Sequence, residues 1–325
     1  TFDGNSDMQP DWVWTKPRGI AFNHSLMDSS RGVGSSGKFI FANLTNAEDD
    51  INDYVMTLDS DGFSVGAGDA GFNASNDTYV SWCWKANGGT TSSNSSGSIT
   101  STVQANTTAG FSIVTFTGTG SAATVGHGLG AIPAMIIQKN RDSTAAWSVK
   151  HHKTTNNYDF LNLNSSADAV ANDSIWTQTD PTTSVFSIGT ASAINQSGQD
   201  QVCYCFAEKQ GYSKFGKYIG NSEGAFAYCG FAPIFIMVRE IGNTNSWWMF
   251  DRKRDPFNTA DARLAADQNS AEATGSFTNV VEFLSNGFKF RNTDSAWNRN
   301  AGTYIFMAFA EHPLVTSGGA PCPAR

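Results

Sequence analysis

The amino-acid sequence repeats itself three times, and this repetition limits the possible folds more than any other feature. The repeat is clearest in three segments that align without gaps: "YVSWCWKA" at 79–86, "QVCYCFAE" at 201–208 and "YIFMAFAE" at 304–311. In each segment apolar residues recur at alternate positions, as they do on one face of a β-strand. The sequence therefore predicts three related units of about 100 residues each, built from strands.

Further segments recur in the same order. A proline, an apolar strand and a basic residue occur in "PDWVWTK" (10–16), "PAMIIQK" (133–139) and "PIFIMVR" (233–239), and a turn and strand occur in "DGFSVG" (61–66), "TSVFSIG" (183–189) and "NGFKFR" (286–291). The second and third units each begin with an additional strand, from Gly110 and from Gly211. The first unit has no counterpart of this opening strand in the sequence given. Either the strand lies upstream of Thr1, or a strand from elsewhere completes the unit.

The alignment also predicts where the units begin and end. It gives a first unit at 1–87, a Gly/Ser/Thr/Asn-rich linker at 88–107 with one candidate strand in "SITSTV", a second unit at 108–209, a third at 210–312 and a tail at 313–325. Helical periodicity is nearly absent, and each unit contains several short strands separated by turn-rich loops. This pattern predicts an all-β protein of tandem antiparallel β-sandwich units, of jelly-roll or lectin-like type.

Charge and hydropathy exclude two classes of partner. Asp and Glu number 29 and Lys and Arg 21, which gives a net charge of −8. An acidic chain offers no general attraction to a phosphate backbone, so nucleic acid is not an expected partner. The longest apolar runs, such as "PIFIMV", are too short to cross a bilayer, and no membrane insertion is expected.

The five cysteines have no disulfide-framework or zinc-site spacing. Cys203 and Cys205 lie two residues apart in an apparent strand and so point to the same face, a geometry that does not suit a bridge between them. Buried free thiols are expected, and they indicate assembly in a reducing cytoplasm.

Several long segments resemble a known family. They are "TTAGFSIVTFTGTGSAATVGHGLGAIPAMIIQKNR", "DPTTSVFSIG", "VCYCFAEKQGYSKFGKYIGN" and "FLSNGFKFRN…GTYIFMAFAEHP". Together they are similar to an uncharacterised repeated domain of tail-fibre-like virion proteins from marine tailed bacteriophages. The resemblance implies a sandwich fold and a position on the exterior of a virion, on the tail or the capsid surface. It brings no set of catalytic residues with it.

The densest charge cluster is Asp251-Arg252-Lys253-Arg254-Asp255, directly after the "WWMF" strand. A solvated loop with internally compensated charges explains it. If the third unit binds a glycan, the expected ligand-binding residues are Trp247, Trp248, Asp251, Arg252 and Arg254, with the tryptophans stacking on sugar rings. These five residues are the candidate site of the sequence.

Two further pairs of residues are of types that can bind metal ions. Asp59 and Asp61 look like the start of a calcium loop, but the later ligands are missing, and a hairpin turn explains the same residues. His151 and His152 are adjacent, so on a strand they would face opposite ways, and a solvated pair is expected. No metal and no cofactor is predicted.

Enzymatic activity requires convergent groups, and the sequence shows none. The acids Glu48, Asp168 and Glu272 occupy equivalent places in the three units, one in each, as structural residues do. A glycosidase needs two carboxylates at one site. The chain is therefore expected not to be an enzyme.

The leading hypothesis is a non-catalytic virion protein, a tail-fibre or appendage subunit that contacts host surface glycans. Its expected partners are other virion proteins, host surface polysaccharide and further copies of itself, with a homotrimer favoured by family analogy. A purely structural capsid decoration or head fibre is the first alternative. A polysaccharide depolymerase is the second.

Overall fold

The computed structural model describes residues 8–33, 37–51, 56–66, 70–221, 223–275 and 280–311. Within these residues nearly all regular structure is β-strand, and the strands named below pair with one another antiparallel, with one isolated parallel bridge between Ile99 and Val125. The all-β prediction is confirmed. None of the helices in this part of the chain is both long enough and apolar enough to span a membrane.

We call the residues of the three predicted repeats the first, second and third units. The residues of the first unit form a five-stranded sheet in the order β4-β3-β2-β1-β7, with β5 and β6 as a separate hairpin. Its strands are β1 (Trp12–Pro17), β2 (Ser25–Asp28), β3 (Gly37–Phe41), β4 (Asp49–Ile51), β5 (Met56–Asp59), β6 (Gly62–Val65) and β7 (Tyr79–Trp84).

The second unit forms an eight-stranded sheet in the order β15-β14-β13-β12-β17-β10-β9-β8, and β11 pairs with β16. The expected linker at 88–107 contains two strands, and both belong to this sheet because β9 pairs with β10 along its length. The elements are β8 (Ser92–Asn94), β9 (Ser101–Asn106), β10 (Phe111–Thr117), β11 (Ala123–Gly126), β12 (Met135–Asn140), β13 (Ser148–His151), β14 (Asp159–Asn162), β15 (Val170–Ala171), β16 (Val185–Ile188), α1 (Ser192–Asn195) and β17 (Asp200–Phe206).

The third unit forms a five-stranded sheet in the order β18-β25-β20-β21-β22, and a second sheet in the order β19-β24-β23. The elements are β18 (Ser213–Ile219), β19 (Phe226–Tyr228), β20 (Pro233–Ile241), β21 (Trp248–Asp251), β22 (Leu264–Ala265), β23 (Val281–Leu284), β24 (Gly287–Phe290), α2 (Ser295–Asn298) and β25 (Thr303–Ala310).

The strand order β7-β1-β2-β3 of the first sheet recurs as β17-β12-β13-β14 and as β25-β20-β21-β22. The register recurs as well. Trp12 lies between Trp84 and Asp28, Met135 between Phe206 and His151, and Phe235 between Phe309 and Asp251. The opening strands β10 and β18 lie beside β17 and β25, whereas the described residues place no strand beyond β7.

One face of all three sheets packs into a single apolar core. This core contains Trp12 and Trp84 from the first unit, Tyr204 and Phe206 from the second, and Phe309 from the third. The ring of Trp12 stacks on that of Tyr204 with 4.1 Å between ring centroids. Because side chains alternate between the two faces of a strand, the neighbouring residues point the other way.

The other face of each sheet is covered within its own unit. Val13 and Met27 pack with Met56 of β5, Cys203 and Cys205 pack with Phe186 of β16, and Ala308 packs with Phe288 of β24. Each large sheet is therefore buried on both faces, as in the middle layer of a sandwich.

Candidate functional site

The structure divides the five candidate glycan-binding residues into buried and accessible ones. Trp247 is 1% exposed and Asp251 4% exposed, and the Arg254 side chain is 3% exposed. Trp248 and Arg252 keep more accessible surface. A platform that stacks on sugar needs accessible rings, so the geometry favours structural roles for the three buried residues.

The buried residues of this set connect different units. The indole nitrogen of Trp247 donates a hydrogen bond to the Asn162 carbonyl of the second unit, at 2.9 Å. Asp251 accepts a hydrogen bond from Arg254 at 2.6 Å and one from the indole nitrogen of Trp82 in the first unit at 3.2 Å. The densest charge cluster of the sequence thus lies at a junction between units.

Equivalent contacts occur at the other junctions. Trp147, at the position in the second unit that Trp247 holds in the third, donates to the Phe41 carbonyl of the first unit at 2.9 Å. The Tyr204 hydroxyl donates to Asp28 at 2.7 Å, as Trp82 does to Asp251. The second unit thus contacts the first, and the third contacts the second, through matching residues.

In the first unit His24 takes the place of these tryptophans. It is fully buried and accepts a hydrogen bond from the indole nitrogen of Trp14 at 2.9 Å. Burial and the nearby charge of Lys16 lower its pKa to about 3, although the backbone of Ala265 in the third unit favours the protonated form. The Nε2 atom of His24 has no hydrogen-bond partner within the described residues, so the neutral imidazole lies near the third unit without a matching hydrogen bond to it.

The repeat-equivalent acids also lie at the junctions. Glu48 of the first unit forms an ion pair with Arg141 of the second at 2.7 Å. Glu272 of the third unit forms an ion pair with Arg18 of the first at 2.7 Å. The Asp168 carboxylate accepts a hydrogen bond from the Gly242 amide, which joins the second unit to the third.

The carboxyl group of Glu48 has a strongly lowered pKa. Burial alone would raise its pKa, but hydrogen bonds from Arg141 and the charge of Arg31 outweigh burial and lower the pKa to about 2. Arg31 also pairs with Asp28, and both of these side chains are fully buried. Neither Arg31 nor Arg141 was recognised from the sequence as a site residue.

The basic residue that ends each proline-initiated strand is buried as well. Lys16 donates to the Pro17 carbonyl at 2.7 Å, and Lys139 donates to the carbonyls of Asn140 and Ser143. Burial lowers the pKa of each lysine to about 8. Arg239, their counterpart, donates to the Ser166 carbonyl of the second unit at 2.8 Å. The recurring basic residue therefore binds backbone oxygens rather than solvent.

The expectation of a solvated histidine pair is wrong for His151. This residue is 2% exposed, lies at the junction with the third unit and contacts the Phe306 carbonyl at 3.2 Å. Burial, together with the charge of His152, lowers its pKa to about 3. No local pattern around His151 indicates that the third unit lies above this strand, and that contact is what excludes water.

The calcium candidates lie at a tight hairpin. Asp59 pairs with Gly62, and Ser60 and Asp61 form the connection between β5 and β6. Asp59 accepts hydrogen bonds from the hydroxyls of Thr57 and Ser64. In the described part of the chain no group of three or more His, Cys, Asp or Glu residues is placed to hold a metal.

The four cysteines in the described residues are free thiols, as predicted. Burial raises the pKa of Cys203 well above its usual range and the pKa of Cys229 to about 12. These thiols therefore act as small apolar side chains.

The fold and the junctions define an all-β protein in which several antiparallel sheets share a core and are joined by buried polar contacts. Residues 4–313 match the model of a domain of unknown function, DUF7483, and the chain belongs to that family. The matched range includes all three large sheets. No curated protein and no solved structure matches the chain.

Proposed function

We propose that the protein is a non-catalytic structural subunit of a bacteriophage virion and belongs to a tail fibre or similar appendage. The observation that carries the proposal is the use of the prominent charged and aromatic residues at the junctions between units. Glu48, Glu272, Asp251 and Trp247 each bind another part of the same chain. Such residues support a rigid body.

Two further features support this proposal. The sequence segments given above resemble virion proteins of marine tailed phages. In addition, the chain carries only 15% charged residues, so contacts made by its surface depend little on ionic attraction and tolerate high salt. An appendage exposed to seawater requires that tolerance.

Contact with host glycans is the finer part of the proposal. Trp248 and Arg252 are the two members of the predicted set with accessible surface; Trp248 begins β21, and Arg252 directly follows its last residue. Arg252 forms an ion pair with Glu311 at 2.7 Å. A sugar site here would use the Trp248 ring and the Arg252 guanidinium separately.

The test is to locate the chain in an intact virion. An affinity tag on the chain, detected by gold labelling and electron microscopy, is expected to decorate the tail or its appendages. Label spread over the capsid lattice would instead support a decoration protein. Label absent from purified virions would contradict a virion role of either kind.

A further inference from the structure

Among the described residues, no strand lies beside the outer edge of β7, whereas its counterparts have a neighbour there. In the second and third sheets the equivalent strands β17 and β25 are flanked by β10 and β18, and almost every residue in them is buried. In β7 the residues Val80, Ser81 and Cys83 are only half-buried. The equivalent residues in β17 are fully buried: Val202, Cys203 and Cys205.

A recurring asparagine lies at the end of the strand position that no described residues fill beside β7. In the second unit the side-chain oxygen of Asn195 accepts a hydrogen bond from the Thr119 amide, just after β10, at 2.8 Å. In the third unit Asn298 accepts from Asn221, just after β18, also at 2.8 Å. Both asparagines are fully buried. Their counterpart Asn73 is exposed.

A second hydrogen bond supports the view that Asn73 is the counterpart of Asn195. Its amide nitrogen donates to the Gly66 carbonyl at 3.0 Å, as that of Asn195 does to the Gly189 carbonyl at 2.8 Å. Asn73 therefore makes the same backbone contact as Asn195, but in the described part of the chain no strand covers it.

A groove of about 280 Å³ runs along this edge. We call it the β7 slot and define it by Val80, Trp82 and Trp84 on one side and Tyr212, Lys253 and Phe309 of the third unit on the other. It continues the interface at which the Trp84 ring lies 5.7 Å from that of Phe309. The slot therefore joins an interface that the chain already forms.

The opening strands show which side chains belong in such a place. In the second unit Phe111 pairs in register with Phe206, with 5.0 Å between ring centroids, and Ile113 pairs with Tyr204. In the third unit Phe215 pairs with Met307. Opposite Phe309, the counterpart of Trp84, the third unit has Ser213. An apolar residue opposite Trp82 is therefore common to both opening strands, and an occupant built like β10 also carries one opposite Trp84.

We propose that the β7 slot accepts an extended strand donated by a partner polypeptide, in the manner of β-strand addition. The donated strand runs antiparallel to β7, has the seven-residue length of β10 and β18, and carries aromatic or aliphatic side chains at alternate positions. The β7 strand of a second copy does not suit the slot, because its core-facing tryptophans are already enclosed in that copy's own core. The proposal is independent of the virion function.

The orientation of the donated strand follows from β10. The Ala207 amide of the second unit donates to the Gly110 carbonyl at 2.7 Å. Because backbone groups alternate in direction along a strand, Ser112 and Val114 also face β17, whereas Ile113 and Thr115 face β9. A peptide in the β7 slot is expected to use the same alternation, with its second edge open.

The test uses the purified full chain and a labelled synthetic peptide with the sequence of residues 110–118, "GFSIVTFTG". Fluorescence anisotropy is expected to show saturable binding of one peptide per chain. N-methylation of the peptide at Ser112 and Val114 is expected to weaken binding by at least about tenfold, and methylation at Ile113 and Thr115 to leave it unchanged. This pair of peptides separates strand addition from simple apolar adhesion.

A protein variant and its control locate the site. Val80→Glu places a charge in the slot and is expected to weaken binding at least about tenfold. Val170→Glu is the matched control, because Val170 is 51% exposed on the edge strand β15 of another sheet, and it is expected to bind as the unaltered chain does. Far-UV circular dichroism checks that both variants are folded.

Three results would overturn the proposal. One is the absence of saturable binding, and another is equal binding by the two methylated peptides. The third is binding that appears only after residues 312–325 are removed, since the chain's own C-terminal residues would then hold the slot. Should Val80→Glu fail to fold, the methylated peptides still decide.

Discussion

Replacement of Glu48 by Gln tests whether the ion pairs between units stabilise the protein. The carboxylate lies 2.7 Å from one nitrogen of Arg141 and 2.9 Å from Arg31, and its side chain is 8% exposed. The pKa of Glu48 falls from 4.5 to about 2 in the folded chain. At about 1.4 kcal/mol per pKa unit, this difference contributes about 3 kcal/mol to the free energy of unfolding at neutral pH.

The lowered pKa of Glu48 determines how its contribution to the free energy of unfolding changes with pH. Because the folded pKa lies below the unfolded pKa, the contribution is fully present above pH 4.5 and is lost as the pH falls from there toward 2. Glu48→Gln is therefore expected to lower the free energy of unfolding by about 3 kcal/mol at pH 7. The difference from the unaltered chain is expected to shrink as the pH falls below 4.5.

Urea unfolding followed by circular dichroism, at a series of pH values, provides the measurement. Glu282→Gln is the matched control, since Glu282 pairs at 3.6 Å with Arg291, which is 43% exposed, and such surface pairs contribute about 0–1 kcal/mol. If Glu48→Gln were no more destabilising than Glu282→Gln at pH 7, the ion pairs of Glu48 would not stabilise the junction between the first and second units.

Three further predictions concern buried residues. Trp84→Ala is expected to lower the free energy of unfolding by about 3–5 kcal/mol, because Trp84 packs in the shared core; an unchanged melting temperature with lost cell binding would show a ligand role instead. The pKa of His151 is lowered to about 3, so its contribution to stability is present above pH 6.5 and declines by about 1.4 kcal/mol per pH unit below it. His151→Gln is expected to flatten that decline in urea unfolding between pH 7 and pH 5, and an identical slope in the two proteins would contradict the assignment. The thiols of Cys203 and Cys205 are fully buried, so in a Cys83→Ser/Cys322→Ser chain they are expected to react with Ellman's reagent only after unfolding; rapid labelling of either thiol in the folded chain, located by mass spectrometry of its peptides, would count against the structure of β17.

The strands and their shared face were predictable from the sequence because they depend on local alternation. Val80, Trp82 and Trp84 alternate with smaller residues, and the same columns recur at 202–206 and 305–309. The place beside β7 that no described strand fills could also be anticipated, since the first unit shows no segment like those that begin at Gly110 and Gly211. The division into three units with the stated boundaries remains a prediction.

The junctions were not predictable, because they join residues far apart in the chain. Arg18 and Glu272 are separated by 254 positions, and nothing in either local sequence indicates the other. The same limit explains the candidate site. Asp251 and Arg254 look like a solvated charge cluster in sequence, and only the approach of Trp82 and Glu272 buries them.

The three large sheets share one core, and we expect them to unfold as a single body. Native-state hydrogen exchange tests this most directly. The amides of the central strands β1, β12 and β20 are expected to exchange through one common opening with the same free energy, equal to that of global unfolding. Exchange of β1 at a free energy several kcal/mol below that of β12 and β20 would show that the first unit unfolds alone, and would contradict the claim.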